Sequence, residues 1–311
     1  MGKQVGETTS GTHRRNFLKA SASTLAATSA IGRISTAWGA DETDSSNPMK
    51  GRIYKAVKWG MINVEGSVLD KFKVQKELGY DGMELISPSD LDPKEVRAAS
   101  DATGMPVHGL VDEKHWQIRL SSPDPATREE GREILMQALR DCSAFGGNAV
   151  LLVPGRVDAG KGETHDDVWK RSIPEIRRVL PLCSRLGVRV LIENVWNGFC
   201  ETAEQMRDYV DEIGSPWVGV YFDIGNVRKF SPSEDWIRTL GSRIVKLDVK
   251  DWSKANGFSS EIGEGDVNWP AVRQALTEIG YSGWATAEVG GGGRERLQAI
   301  SQRMDRVFQL S

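Results

Sequence analysis

The sequence predicts an α/β fold of the (β/α)8 barrel class. Short apolar runs alternate with amphipathic helical patterns eight times across about 260 residues, the size and rhythm of such a barrel. Several helical patterns end in a glycine stop, as in Lys-Glu-Leu-Gly79, Ser-Arg-Leu-Gly187 and Thr-Glu-Ile-Gly280. No GxGxxG or P-loop spacing occurs, and Gly60 alone follows the first strand, which argues against a doubly wound nucleotide-binding sheet.

Residues 1–40 stand apart from this fold. Residues 13–19 read HRRNFLK, a weakly apolar segment rich in Ala, Ser and Thr follows, and small residues cluster at Ala37, Gly39 and Ala40. The segment resembles a twin-arginine signal, with His13 where Ser or Thr is commoner. The resemblance implies passage through the twin-arginine export machinery, cleavage near residue 40 and a periplasmic or extracytoplasmic address. Residues 41–50 (DETDSSNPMK) read as a polar tether, and 51–311 as the catalytic barrel.

Losing residues 1–39 removes five basic residues and one acidic residue, and takes the formal charge from -3 to about -7. A nucleic-acid surface would need a clustered basic face, and none is seen. No apolar stretch is long enough for a stop-transfer helix. Cys142 and Cys183 fall late in expected helices and Cys200 in a loop. An odd count of three without short spacing is neither a disulfide framework nor a zinc motif.

In chain order, the strands are expected at 55–62, 82–86, 107–111, 148–154, 188–195, 218–224, 244–251 and 284–289. Helices are expected at 67–78, 93–103, 125–145, 167–186, 203–213, 232–239, 269–279 and 294–309. Unbroken apolar runs mark strands buried on both faces. Four of these runs carry an acid: Glu193 in VLIENV, Asp223 in VYFDIGN, Asp248 in IVKLDVKD and Glu288 in ATAEVG. An ionised carboxylate there is costly unless it is paired or bound to a metal.

These acids fall near the C-terminal ends of strands five to eight, where barrels of this class build active sites. Four converging hard oxygen ligands favour one divalent ion, Mg or Mn ahead of Zn or Co. Such an ion would chelate a hydroxy-carbonyl substrate and stabilise the enediolate left when the adjacent carbon loses a proton. Two glutamates would exchange the proton. The competing reading pairs the acids with Lys58, Lys246 or Lys250 in a structural charge network.

The segments GYDGMEL (79–85), GVRVLIENV (187–195), VYFDIGN (220–226), KLDVKDW (246–252), IGEGDVNW (262–269) and YSGWATAEV (281–289) resemble the sugar phosphate isomerase/epimerase superfamily of xylose isomerase-like barrels. The likeness spans residue 54 to the C-terminus. It implies one divalent ion, held by a Glu, an Asp, a His and a Glu on strands five to eight, with the two glutamates as acid and base. By that likeness Glu193 and Glu288 are ligands and proton carriers, and Asp223 is a ligand. Asp248 stands where the family commonly has His, which makes the ligand set all oxygen. The resemblance also implies association into homo-oligomers and gives Glu84 a place near the substrate.

His108 is expected at the end of strand three, facing the mouth, and Lys250 beside the acids. Trp59, Trp116, Trp196 and Trp252 each follow or end an expected strand and are expected at the rim, where aromatic faces suit sugar CH surfaces. His115 and His165 are expected to be exposed. The leading reading is a metal-dependent isomerase or epimerase of an unphosphorylated sugar or 3-keto sugar. Its rivals are a β-eliminating lyase on a 3-keto sugar or glycoside and a non-catalytic carbohydrate-binding barrel.

Overall fold

The computed structural model describes residues 49–311. The expected signal (1–40) and most of the tether (41–50) lie outside the described residues. Eight parallel strands close into one barrel in the order β1 to β8. They are β1 Ile53–Lys58, β2 Gly82–Ser87, β3 Val107–Asp112, β4 Ala149–Leu152, β5 Arg189–Glu193, β6 Val218–Asp223, β7 Ile244–Val249 and β8 Gly283–Ala287. Eight helices alternate with them: α1 Val68–Glu77, α2 Pro93–Thr103, α3 Pro125–Phe145, α4 His165–Leu186, α5 Ala203–Ile213, α6 Ser233–Leu240, α7 Trp269–Glu278 and α8 Arg294–Phe308. Among the described residues, no helix is long and apolar enough to cross a membrane.

Local chemistry sets the helix starts. Ser67, Thr164 and Thr202 each close a reciprocal capping box, with Asp70, Asp167 and Gln205 respectively. The box at Thr164 explains why α4 begins two residues before the expected 167. Asp92 and Asp124 cap α2 and α3, each followed by a proline in the first turn. At the other end of α4, Gly187 adopts φ 68°, a left-handed conformation that a side chain would strain.

Several strands stop short of the apolar runs that announced them. β1 ends at Lys58 and a 3-10 turn, Trp59–Met61, follows. Ile62 and Val153 are still buried past the strand ends, Ile62 as the partner of Gly292 in an isolated parallel bridge. The main core lies between barrel and helices, with Phe72, Trp236 and Phe308 fully enclosed. Each such side chain contributes about 1.5–3 kcal/mol of burial free energy.

The barrel interior is less usual. Leu151 and Leu191 form a small apolar cluster with Ala149 and Tyr221. Around them lie buried polar groups: Glu84, His108, Lys246 and Thr286. The Tyr221 hydroxyl donates to Glu84 Oε1 at 2.8 Å and pairs with Thr286 Oγ1 at 2.7 Å. Thr286 Oγ1 meets His108 Nε2 at 3.2 Å, and His108 Nδ1 meets Lys246 Nζ at 3.0 Å. His108 also stacks on Trp284, with ring centroids 4.7 Å apart. Burial, and then the neighbouring lysines, hold the His108 imidazole well below its usual pKa, while burial pulls Lys246 down to about 8.

Asp112 closes β3 with its carboxylate buried, and Oδ1 accepts from the Lys114 amide at 3.1 Å. Burial raises this carboxyl to about 7. The folded state therefore binds more protons than the unfolded chain between about pH 4 and 7, and stability falls as pH rises through that window. An Asp112→Asn protein lacks this slope. In urea unfolding at pH 8 it should exceed the parent by roughly 1–3 kcal/mol, and the gap should narrow as pH falls and close only below about pH 4.

Candidate active site

The four acids converge at the C-terminal mouth. Glu193 is the last residue of β5, Asp223 the last of β6, Asp248 the penultimate residue of β7, and Glu288 directly follows β8. Side chains two apart on a strand share a face. Asp223 therefore stands above Tyr221, Asp248 above Lys246 and Glu288 above Thr286, so the polar interior is the floor of the site. Asp223 and Asp248 are also register partners across β6 and β7.

Asparagines fix this geometry. Asn194 and Asp223 exchange bonds, from Asn194 Nδ2 to the Asp223 carbonyl and from the Asp223 amide to Asn194 Oδ1, both at 2.9 Å. The Asn226 amide donates to Asp223 Oδ1 at 2.7 Å, and its Nδ2 reaches the Asn194 carbonyl at 2.9 Å and Glu193 Oε1 at 3.5 Å. These bonds set the ends of β5 and β6 relative to each other.

Two lysines enter the cluster. Lys58 Nζ lies 2.9 Å from Asp248 Oδ2 and 3.8 Å from Glu84 Oε2, and donates to Glu288 Oε1. Lys250 Nζ donates to Glu288 Oε2 and lies 2.8 Å from Asp223 Oδ2, a charge contact off hydrogen-bond geometry. Burial raises Glu193 and Asp248 well above the usual carboxylate range, and raises Asp223 to about 7 against the pull of Lys250. Burial also acts to raise Glu288, but Lys58 and Lys250 outweigh it and hold that carboxyl well below its ordinary value.

The donor set fits a divalent cation. Each of the four acids offers an oxygen, and these oxygens lie within 4.8 Å of one another. Asp223 Oδ2 and Asp248 Oδ1 are buried and accept no hydrogen bond. Hard, partly unpartnered oxygens of this kind suit a hard divalent cation.

Above the acids opens a cavity of 380 Å³, lined by the polar side chains of Glu193, Asn226, Lys250 and Glu288 and by the aromatic rings of Trp116, Trp196 and Phe258. Trp196 packs on Phe258 at 4.7 Å and on Trp252 at 6.1 Å, and its Nε1 donates to the Asn226 carbonyl at 2.6 Å. The loop carrying Phe258 is tied down by Asp251. Its carboxylate accepts from the amides of Trp252 (2.9 Å), Gly263 (3.0 Å) and Val267 (3.2 Å) and from Trp269 Nε1 (2.9 Å). A larger groove of 680 Å³ between α3 and α4 holds no comparable cluster, because its Arg132 and Arg178 are committed to Glu175.

A model of the xylose isomerase-like TIM barrel family matches residues 72–308. The chain belongs to that family. It is 24% identical over 228 residues to an L-ribulose-5-phosphate 3-epimerase of Salmonella paratyphi A, a match covering 69% of this chain and 79% of the relative. Among solved structures, the 3-keto-D-glucoside 4-epimerase of E. coli superposes with a TM-score of 0.68 at 17% identity, covering 83% of this chain and 99% of that one. The IOLI protein, solved with a zinc atom, gives a TM-score of 0.71 at 15% identity over 82% of this chain and 98% of its own. At such identities the structural likeness speaks for the fold.

The remaining expected residues divide. Lys250 and Trp116 line the cavity as the sequence implied. His108 does not end β3 but is its second residue. It lies in the floor, with both ring nitrogens used by Thr286 and Lys246, so it does not face the mouth. Glu84 is fully buried under Tyr221 and Lys58. Trp59 turns towards α1, with Lys71 Nζ 4.9 Å from its ring, and does not line the cavity. His115, expected exposed, is buried and accepts from the Val153 amide at 3.3 Å through Nδ1. Trp196, expected at the rim with Trp116, lines the cavity, and so do Asn226 and Phe258, which the sequence does not mark as site residues. Replacing Tyr221 by Phe removes the donor to Glu84 Oε1. The variant should lose about 1–3 kcal/mol of stability in chemical denaturation while keeping the barrel's circular dichroism.

Proposed function

We propose that this protein is a metal-dependent sugar isomerase or epimerase that moves a proton on the carbon beside a carbonyl. The observation that carries the reading is the convergence of four buried or half-buried carboxylates, with donor oxygens within 4.8 Å of one another, beneath an aromatic-walled cavity. The named sugar epimerases among the relatives and structural neighbours support it.

Glu193, Asp223, Asp248 and Glu288 would hold the ion, with Asp248 contributing Oδ1, the oxygen that Lys58 leaves free. A bound divalent ion supplies polarisation of the substrate carbonyl and of the adjacent hydroxyl. Glu193 and Glu288 stand three strands apart around the barrel and approach a substrate from different sides. They are the pair that takes and returns the proton. Trp116, Trp196 and Phe258 offer apolar faces to the CH groups of a sugar ring. Among the described residues, Lys250 is the one basic residue lining the cavity, and it is committed to Asp223 and Glu288. This favours an unphosphorylated sugar or a 3-keto sugar over a sugar phosphate. The all-oxygen ligand set favours Mn or Mg.

The test joins metal content to proton exchange. The purified protein should carry about one Mn, Mg, Co or Zn per chain, and a Glu193→Gln/Asp223→Asn double variant should lose it. Incubated with free ketoses and 3-keto sugars in deuterated water, the parent should introduce deuterium beside the carbonyl, and Glu193→Gln should slow this by about 10²–10⁴-fold. Release of an aglycone without exchange into recovered sugar would mark a β-eliminating lyase instead.

One observation favours a second reading. Lys58 and Lys250 already pair with three of the four acids. A non-catalytic carbohydrate-binding barrel needs no more than that. Failure to take up Mn at excess, together with sugar binding that ignores chelators, would establish it.

The address follows from residues 13–40, and we propose export by the twin-arginine route. Fractionation of cells expressing the full chain should find it outside the cytoplasm, and an Arg14→Lys/Arg15→Lys variant should stay inside.

A further inference from the structure

At the centre of the acid cluster sits an ammonium group. Lys58 ends β1, and its side chain is 14% exposed. It contacts Asp248, Glu288 and Glu84 together, and unlike Lys250 it does not line the cavity. Glu288 therefore carries an ammonium group on each oxygen, from Lys58 on Oε1 and from Lys250 on Oε2. Asp248 has one on Oδ2 and nothing on Oδ1. Two lysines balance half of the formal charge of the four carboxylates.

The identity of residue 248 makes sense in this light. A neutral imidazole at that position requires no counter-charge. An aspartate buried beside Glu84 and Glu288 does, and Lys58 provides it from β1, two strands from β7 across β8. Asp248 and Lys58 form a unit.

We propose that Lys58 is a resident cation of the site, which occupies Asp248 and Glu288 and so lowers the affinity for a divalent ion below that of the four carboxylates without it. The inference rests on the metal-site reading above. Its physics is plain. A unit positive charge a few ångströms from a divalent cation repels it strongly in a poorly hydrated pocket. The same ammonium also withholds two oxygens, Asp248 Oδ2 and Glu288 Oε1, that would otherwise be free as hard ligands.

The experiment is calorimetric titration of Mn2+ into the full-length chain and into Lys58→Met and Lys58→Gln variants, with far-UV circular dichroism to establish folding. Both variants should bind Mn2+ at least about tenfold more tightly than the parent, and saturating Mn2+ should raise their melting temperatures by more. A Lys58→Met/Asp248→Asn double variant should give back most of that gain. Lys58→Gln keeps a hydrogen-bond donor in place and carries the test should Lys58→Met not fold. Equal or weaker Mn2+ binding in folded variants, with binding in the parent, overturns the role of Lys58 and leaves the metal site standing. Absence of Mn2+ binding in parent and variants alike overturns both.

Discussion

The upper half of the barrel is governed by one constraint, the compensation of buried negative charge. Barrels of this class usually fill their interiors with branched apolar side chains. Here Glu84, Glu193, Asp223 and Asp248 are all buried, and Glu288 joins them at the mouth. Desolvating a carboxylate costs several kcal/mol unless charge and hydrogen bonds offset it. The surrounding structure follows from that requirement. Lys58 and Lys250 supply charge, Asn194 and Asn226 align the ends of β5 and β6, and Tyr221 donates to Glu84 from below. Removing any one of these leaves a carboxylate with less than it needs.

The parts legible in the sequence are those with a local signature. An acid inside an apolar run is conspicuous, and the rule that such runs are buried strands placed Glu193, Asp223, Asp248 and Glu288 together correctly. Helix bounds were legible for a related reason, since α2, α3 and α5 begin at residues next to a capping side chain. Other features depend on long-range pairing. Lys58 finds Asp248 across 190 positions, and only barrel closure brings them into contact. His108 is second in the expected run 107–111 as in β3, and its place in the floor depends on Thr286 and Lys246, which only barrel closure brings to its ring. Phe258 lies in an irregular loop with no periodicity to reveal which way it faces.

The mouth mixes two chemistries. Carboxylates, an amide and an ammonium line it together with two indoles and a phenyl ring, and the two sets touch: Lys250 Nζ lies 5.1 Å from the Phe258 ring, and Trp196 donates to the Asn226 carbonyl. The polar groups come mostly from strand ends, which the barrel holds in place, while the aromatic ones come from the loops after β3, β5 and β7. A fold shared at 17% identity with a 3-keto-D-glucoside 4-epimerase can keep the first set and vary the second.

The anchoring of the β7–α7 loop by Asp251 has a kinetic meaning. A loop fastened by four donors to one buried carboxylate has little freedom to swing as a hinged cover. Its ordering entropy is lost when the chain folds, not when a ligand arrives. The two ends of the segment, at Trp252 and at Gly263–Trp269, are therefore fixed, and Phe258 projects from a loop whose base is already in place when a ligand arrives.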